Sequence, residues 1–336
     1  MKRPAIRWIL YGLPVPVLAL SLLVGPSDVM SPGQAVLWMA RRLAGFSGQA
    51  DAKEALVSAI LWNVRLPRVL LTFLVGGALA ASGNSIQALF RNPLVCPYLL
   101  GLSSGGAFGA ALALTTSWIP LQPSAFLFGL LAVTSSYLLA RVRGRIATVS
   151  LILSGVIVSG IFTSLLTILQ FLTDPFKLQT IVHWTMGNLH NATWEKVRSA
   201  APLILASTAC LFLMRWRMNV LALGDEEMRA VGLNPEREKL LLILPATLAA
   251  SASVAVAGVI GLAGLMVPHM VRMMIGPDNT HTLPACFAFG GSFLLLVDNL
   301  SRTTASFELP VGVFTTLAGG PFFIFLLKRA GIGWET

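Results

Sequence analysis

The sequence predicts an all-α integral membrane protein with about ten transmembrane helices and cytoplasmic N- and C-termini. Three observations predict it. Only 11% of the 336 residues are charged, against about 25% in soluble domains. Hydrophobic residues make up 55% of the chain, and its mean hydropathy is +0.77. The apolar runs are long and continuous, where a membrane barrel would show short segments alternating apolar and polar. A water-soluble enzyme, a disordered chain and a disulfide-stapled secreted module are thereby excluded.

A membrane-crossing helix needs about 20 mostly apolar residues. Ten stretches qualify as candidates: 8–25, 69–90, 99–119, 125–140, 148–172, 200–216, 240–255, 257–274, 283–300 and 311–327. The seventh and eighth are nearly fused at Ala257-Gly258, so one of that pair is expected to be short. The basic stretch Met1–Arg7 before the first apolar run resembles a signal peptide. No small-x-small cleavage site clearly follows it and many spans come after, which favours an uncleaved first span. The whole chain, 1–336, reads as a single transmembrane domain.

Formal net charge is +10. With the N-terminus inside, the inner loops collect most of the Lys and Arg, as the positive-inside rule asks. No basic stretch interleaves aromatics, so nucleic-acid binding is not expected. Cys96, Cys210 and Cys286 are widely spaced and form no disulfide framework or metal-binding pattern. Two outer segments are long, about 26–65 and 173–198. In the first, Asp51, Lys53 and Glu54 beside Ala55, Leu56, Ile60 and Leu61 suggest a short surface helix. One inner segment, about 218–239, is polar enough to be a docking surface.

The middles of the spans carry no ionisable side chain; Asp298, His269 and Arg272 lie near span ends. This argues against proton or sodium coupling and against an intramembrane hydrolase. No GxxxxGK[ST] loop occurs, so the chain has no ATP site of that kind. Gly101, Gly105 and Gly109 repeat every four residues, which fits either tight helix packing or a thin wall beside a wide pathway. Ser82, Asn84, Ser85, Gln87, Thr163, Ser164, Thr167 and Gln170 could line a passage or bond between helices. The spacing leaves both readings open.

Seven groups of residues in order then carry a family resemblance. They are Arg65-Leu-Pro-Arg68 with Gly76 to Gly83 and Gln87; Arg91-Asn-Pro-Leu-Val-Cys-Pro97; Leu100-Gly-Leu-Ser-Ser-Gly-Gly106; Trp184-Thr-Met-Gly187; Gly224-Asp-Glu-Glu with Ala230-Val-Gly-Leu233; Gly264 to Arg272 with Gly276-Pro-Asp278; and Glu308-Leu-Pro-Val-Gly312 with Gly320-Pro-Phe-Phe323. From about residue 60 onward the chain resembles the permease of type II ABC importers for ferric siderophores, haem and cobalamin, the FecCD-like family. Val95 and Cys96 depart from the family pattern, which usually has alanine and then an acidic residue there.

The resemblance implies a homodimer of ten-helix subunits around one pathway in a bacterial or archaeal inner membrane. It also implies two cytoplasmic ATPase subunits that hold the ATP and Mg, and an extracytoplasmic solute-binding protein. The chain itself would be no enzyme and carry no cofactor or metal. By the same resemblance Gly224, Asp225, Glu226, Arg229, Ala230, Gly232 and Leu233 form the ATPase-coupling segment, with Asp225 as N-cap and Gly232 as a left-handed stop. Asn92, Pro93 and Leu94, with Thr148 and Val149, form the cytoplasmic gate. Arg65, Arg68 and Arg302 oppose the inward bias of positive charge. The resemblance makes them docking contacts for the binding protein; the alternatives are lipid headgroups, or Asp298 and Glu308 on this chain. Gly101, Gly105, Gly109 and Gln87 are pathway or packing residues. The expected cargo is a bulky chelate, ferric siderophore first, then haem or cobalamin. Molybdate or tungstate transport and an ion-coupled carrier are the alternatives.

Overall fold

The computed structural model describes residues 4–25, 33, 36, 52–142, 145–305 and 307–330. Helices dominate it. In chain order they are α1 (Pro4–Gly12), α2 (Pro14–Leu23), α3 (Ala52–Ile60), α4 (Leu66–Phe90), α5 (Leu102–Thr116), α6 (Leu121–Ala140), α7 (Thr148–Leu172), α8 (Pro175–Thr185), α9 (Trp194–Leu213), α10 (Arg215–Leu223), α11 (Asp225–Ala230), α12 (Pro235–Ala257), α13 (Ala263–Ile275), α14 (Asn279–Thr303) and α15 (Val311–Ala330). A single antiparallel bridge of two-residue strands, Arg141–Val142 and Arg145–Ile146, joins α6 to α7.

Helix occupies all ten predicted stretches, but the count of full crossings changes. Among the described residues, seven helical segments are long and apolar enough to cross a membrane: Pro4–Leu23, Ala55–Phe90, Leu121–Ala140, Thr148–Leu172, Trp194–Leu213, Pro235–Ala257 and Asn279–Thr303. The predicted third and eighth crossings are shorter helices, and in the tenth the apolar stretch described is Val311–Leu326. Residues Leu102–Thr116 make a helix of 15 residues after a 3₁₀ turn at Pro97–Leu100. Ala263–Ile275 has 13 residues, because Gly258 (φ +72°) and Leu262 (φ +59°) hold left-handed backbone that a helix cannot continue. The first outer segment carries the short helix its sequence suggests, at Ala52–Ile60, and this runs on through a π turn at Leu61–Arg65 into α4. Its earlier part, including Asp51, lies outside the described residues.

Small residues decide how the central helices meet. A Cβ on Gly76 would sit 2.4 Å from the Gly290 carbonyl oxygen, and one on Gly290 2.4 Å from the Ala80 Cβ, so α4 and α14 pack backbone against backbone. Gly83 does the same against Gly264 of α13. Without a hydrophobic drive in lipid, such close approach and its dispersion contacts hold helices together. The ends of α8, α12 and α13 meet α15 beside the middle of α4, where Gly264 lies against Leu79 and Gly83. Irregular backbone at that depth needs internal partners. The Asn188 N–H donates to the Ala257 carbonyl (2.8 Å), the Gly312 N–H to Gly187 (3.2 Å) and the Tyr98 hydroxyl to Ile260 (2.9 Å).

Candidate functional site

Two ends of the bundle carry the charged side chains. At the end marked by Asp225, α11 is a six-residue helix whose Met228 is fully buried while Glu226, Arg229 and Ala230 are exposed. Its stop is a Schellman motif: Gly232 at φ +79° donates to the Arg229 carbonyl (3.0 Å) and the Leu233 N–H to Met228 (2.9 Å). The expected left-handed role of Gly232 is what the structure has. The expected N-cap role of Asp225 is not, because Asp225 is the first helical residue and Gly224 precedes it as cap. The Asp225 carboxylate instead receives two cations, Arg91 Nη2 on Oδ1 at 2.9 Å and Lys239 Nζ on Oδ2 at 2.7 Å. Arg91, the first residue of a family motif, and Lys239, the last of the polar inner segment, were given no role from sequence; ion pairs across more than ten residues leave no local pattern.

Arg91 closes α4 in the left-handed conformation, and the turn after it is internally bonded. The Asn92 N–H reaches the Gln87 carbonyl (3.2 Å), and Asn92 Oδ1 accepts from the Leu94 N–H (2.9 Å). These bonds hold Asn92, Pro93 and Leu94 in one ordered turn against the end of α4. Leu94 is 53% exposed, and Val149, beside Thr148 at the start of α7, is 75% exposed. α7 packs on the following 3₁₀ turn, where Gly155 lies against the Leu99 carbonyl. Burial pushes the Cys96 thiol above its ordinary pKa, so it stays protonated and weakly nucleophilic.

At the opposite end Arg65, Arg68 and Arg302 are all buried. Arg68 grips the fully buried Asp298 through Nε and Nη2 (Nη2–Oδ1 2.8 Å) and holds Glu308 through Nη1 (2.9 Å). Arg302 pairs with the other side of Asp298 at 3.1 Å and donates to the Val24 and Ser21 carbonyls and to Asn299. Arg65 donates to the carbonyls of Leu22, Leu23 and Gly25. The last carbonyls of α2 have no helical partners of their own, and these arginines supply them. The arginines that the resemblance makes docking contacts are thus buried within the chain, where the guanidiniums knit α2, α4, α14 and the Glu308 loop together. Among the alternatives weighed from sequence, pairing with Asp298 and Glu308 describes Arg68 and Arg302. Beyond them, Trp62 and Trp194 stack at 5.7 Å, joined by a Trp194 Nε1 bond to the Trp62 carbonyl.

The open readings of the small and polar residues now separate. A Cβ on Gly105 would meet the Phe128 carbonyl oxygen at 2.4 Å and one on Gly109 that of Ser124 at 2.5 Å, while Gly101 faces Val158. These glycines are packing residues against α6 and α7, not a thin wall. Gln87 is buried too; it accepts from Arg272 and donates to the Leu265 carbonyl. Ser82 bonds across to Ala246, and Asn84 to Asn279 and Arg272. By contrast, Thr163, Ser164 and Thr167 stand on the exposed face of α7, with Ser164 and Thr167 bonded only back to their own helix among the described residues.

Comparison with known proteins places this arrangement. The model of the FecCD transport family matches residues 14–329. The chain is 40% identical over 275 residues to the cobalamin import system permease protein BtuC of Halobacterium salinarum, covering 80% of this chain and 73% of that protein. It is 40% identical over 280 residues to the hemin transport system permease protein HmuU of Yersinia pestis (80% and 83% covered). It is 36% identical over 279 residues to the molybdate import system permease protein MolB of Haemophilus influenzae (81% and 83% covered). A solved metal-chelate type ABC transporter in an inward-facing conformation superposes with a TM-score of 0.84 at 32% identity, covering 97% of this chain and 99% of that one. The chain belongs to the FecCD transport family and is a multi-pass membrane permease of the ABC-importer class.

Proposed function

We infer that this chain is the membrane half of an importer for a bulky metal chelate. Its Asp225 end faces the cytoplasm, and the FecCD match over residues 14–329 carries the reading. A ten-helix topology places the N- and C-termini on that same side, in the cytoplasmic membrane of a bacterium or archaeon. Two copies surround one pathway, each lending the apolar exposed face of α7. The exposed side of α11 docks on a separate ATPase that binds ATP and Mg, and an extracytoplasmic protein delivers the cargo to the Asp298 end.

The uncharged α7 face favours a large, weakly polar cargo. Val156, Ile157, Ile161 and Ile168 are exposed there beside neutral hydroxyls. A ferric siderophore is the first candidate, and haem or cobalamin comes next. A small oxyanion such as molybdate would be held by fixed N–H donors or cations, so that second reading draws on the MolB likeness alone.

The test is reconstitution of the chain with its ATPase and binding protein. The binding protein is titrated with ferric siderophores, haem, cobalamin and molybdate, and uptake of the bound species is followed with and without ATP. ATP-dependent uptake of a chelate is expected, and Gly232→Trp should abolish it by spoiling the stop of α11. Uptake driven by a proton or sodium gradient without any ATPase would overturn the reading.

A further inference from the structure

We propose that Arg91 is the positioning residue through which α11 moves the Asn92–Leu94 turn, by way of its ion pair with Asp225. The inference deepens the importer reading and rests on it. Asp225 is a three-way joint: its own helix is α11, Lys239 holds it to α12, and Arg91 holds it to the end of α4.

The two cations differ in what they anchor. Lys239 is buried, is the fifth residue of α12 and also meets Glu236 (3.4 Å). It ties α11 to a membrane-crossing helix and makes a fixed pivot. Arg91 is 39% exposed and lies at the cap of α4, directly before the turn. A pair this exposed adds little to stability, so the structure does not need it to fold. What it does supply is a short link between the helix that docks on the ATPase in the importer reading and the turn that the family resemblance assigns to the gate.

The turn is built to transmit motion. Its internal bonds, Leu94 N–H to Asn92 Oδ1 and Val95 N–H to the Asn92 carbonyl, make it one stiff unit, which a single bond from the Asn92 N–H to Gln87 ties to the end of α4. Pro93 removes another degree of freedom. The hinge is the left-handed Arg91 itself, where φ is +51° and ψ +31°. When the ATPase draws α11, the Asp225 carboxylate pulls the guanidinium, and Leu94 follows.

The experiment uses the permease assembled with its ATPase, carrying Leu94→Cys, and measures cross-linking between the two copies with and without ATP. Wild-type Arg91 should give a yield that changes with ATP. Arg91→Ala should remove that change and lower uptake about tenfold, a magnitude ordinary for coupling between two sites. It should leave ATPase co-purification and the melting temperature as they were. Arg91→Lys should restore much of the response. Asp225→Asn with Arg91→Ala should be no worse for the ATP response than Asp225→Asn alone, since both remove one link. An ATP response that survives Arg91→Ala, or uptake lost only in proportion to lost ATPase association, overturns the proposal. A wild-type chain that recruits no ATPase overturns the importer reading itself, which separates the two failures.

Discussion

α4 and α7 are both helices of 25 residues, yet they are built for opposite surroundings. In the segment containing α4, 83% of the crossing is buried within the chain; in α7 only 28% is. The more buried helix is the less apolar one. α4 carries glycines, Ser82, Asn84, Ser85 and Gln87, each packed or bonded to a neighbour. α7 carries Leu, Ile and Val outward over most of its length. In lipid, apolar surface costs nothing to expose, and backbone contact with bonded polar groups is what binds helices. Hydropathy alone does not separate centre from periphery, since α12 is as apolar as α7 and yet 78% buried; what sets α4 apart from α7 is its run of small and bonded polar residues.

The largest break in that comparison is a methylene-rich side chain at a contact glycine. Gly83→Leu would place a Cβ 1.8 Å from the Gly264 carbonyl oxygen, while Gly160 of α7 has nothing within 4 Å. The first substitution should cost about 3 kcal/mol or more and deplete folded protein in the membrane. Gly160→Leu should be tolerated. Yield after detergent extraction and thermal melting of the two variants checks this, and equal melting temperatures would remove the distinction.

The ion cluster at the head of α4 comes next. Arg68→Ala leaves the fully buried Asp298 with Arg302 alone and Glu308 without its cation, a loss of about 3–5 kcal/mol for a broken buried pair. Adding Asp298→Asn should recover part of that loss, because it removes the uncompensated charge. Thr167→Val on α7 should stay within about 0.5 kcal/mol of wild type. Melting curves in one detergent compare all of them; an Arg68→Ala protein as stable as wild type would mean that the cluster carries no tertiary strain on removal.

Chemical access sharpens the other half of the comparison. On the proposed pathway role of α7, the exposed Ile161→Cys should react with a membrane-impermeant maleimide in the assembled transporter, whereas Leu131→Cys on the exposed face of α6 should be shielded by lipid. Equal, slow labelling of both would assign the α7 face to lipid and undo its pathway role.

The smallest effect concerns the inner tether of α4, where Asn84 bonds Asn279 and the Asn279 N–H bonds Asn219 (2.8 Å). Burial alone would raise the pKa of Asp278, but hydrogen bonds from Asn219 and from the Thr280 backbone and side chain outweigh it, so the pKa is lowered. A carboxylate lowered on folding adds stability above its unfolded pKa of about 3.9, and that stability is lost as pH falls through the native value. Asn219→Ala should therefore melt slightly below wild type at neutral pH, and the two should converge as acid takes the pH below the lowered native pKa of Asp278. A constant gap at every pH would assign the effect to Asn219 packing instead.

Much of this protein was legible from its residues. The apolar runs located a helix at every predicted stretch, and 148–172 matched α7 from end to end, since lipid imposes length and composition on any helix exposed to it. The seven motifs led to the family in the same way, because they are short and contiguous. Gly232 was readable as a helix stop because its backbone conformation is a local demand.

What tertiary structure alone decided are the facts that depend on partners remote in sequence. Arg65, Arg68 and Arg302 look like an exposed basic surplus until α2, Asp298 and Glu308 fold over them. Gln87 could line a pathway until Arg272 meets it, and the every-fourth glycines of α5 could be a thin wall until α6 lies against them. That one of the seventh and eighth stretches is short was readable at Ala257-Gly258, but that it is α13, restarted only after the positive-φ residues Gly258 and Leu262, took the structure to decide. Composition determines which segments enter the membrane, since each residue meets lipid or water on its own. Which polar groups are spent inside and which remain for function is a pairwise question, and only the packed helices answer it.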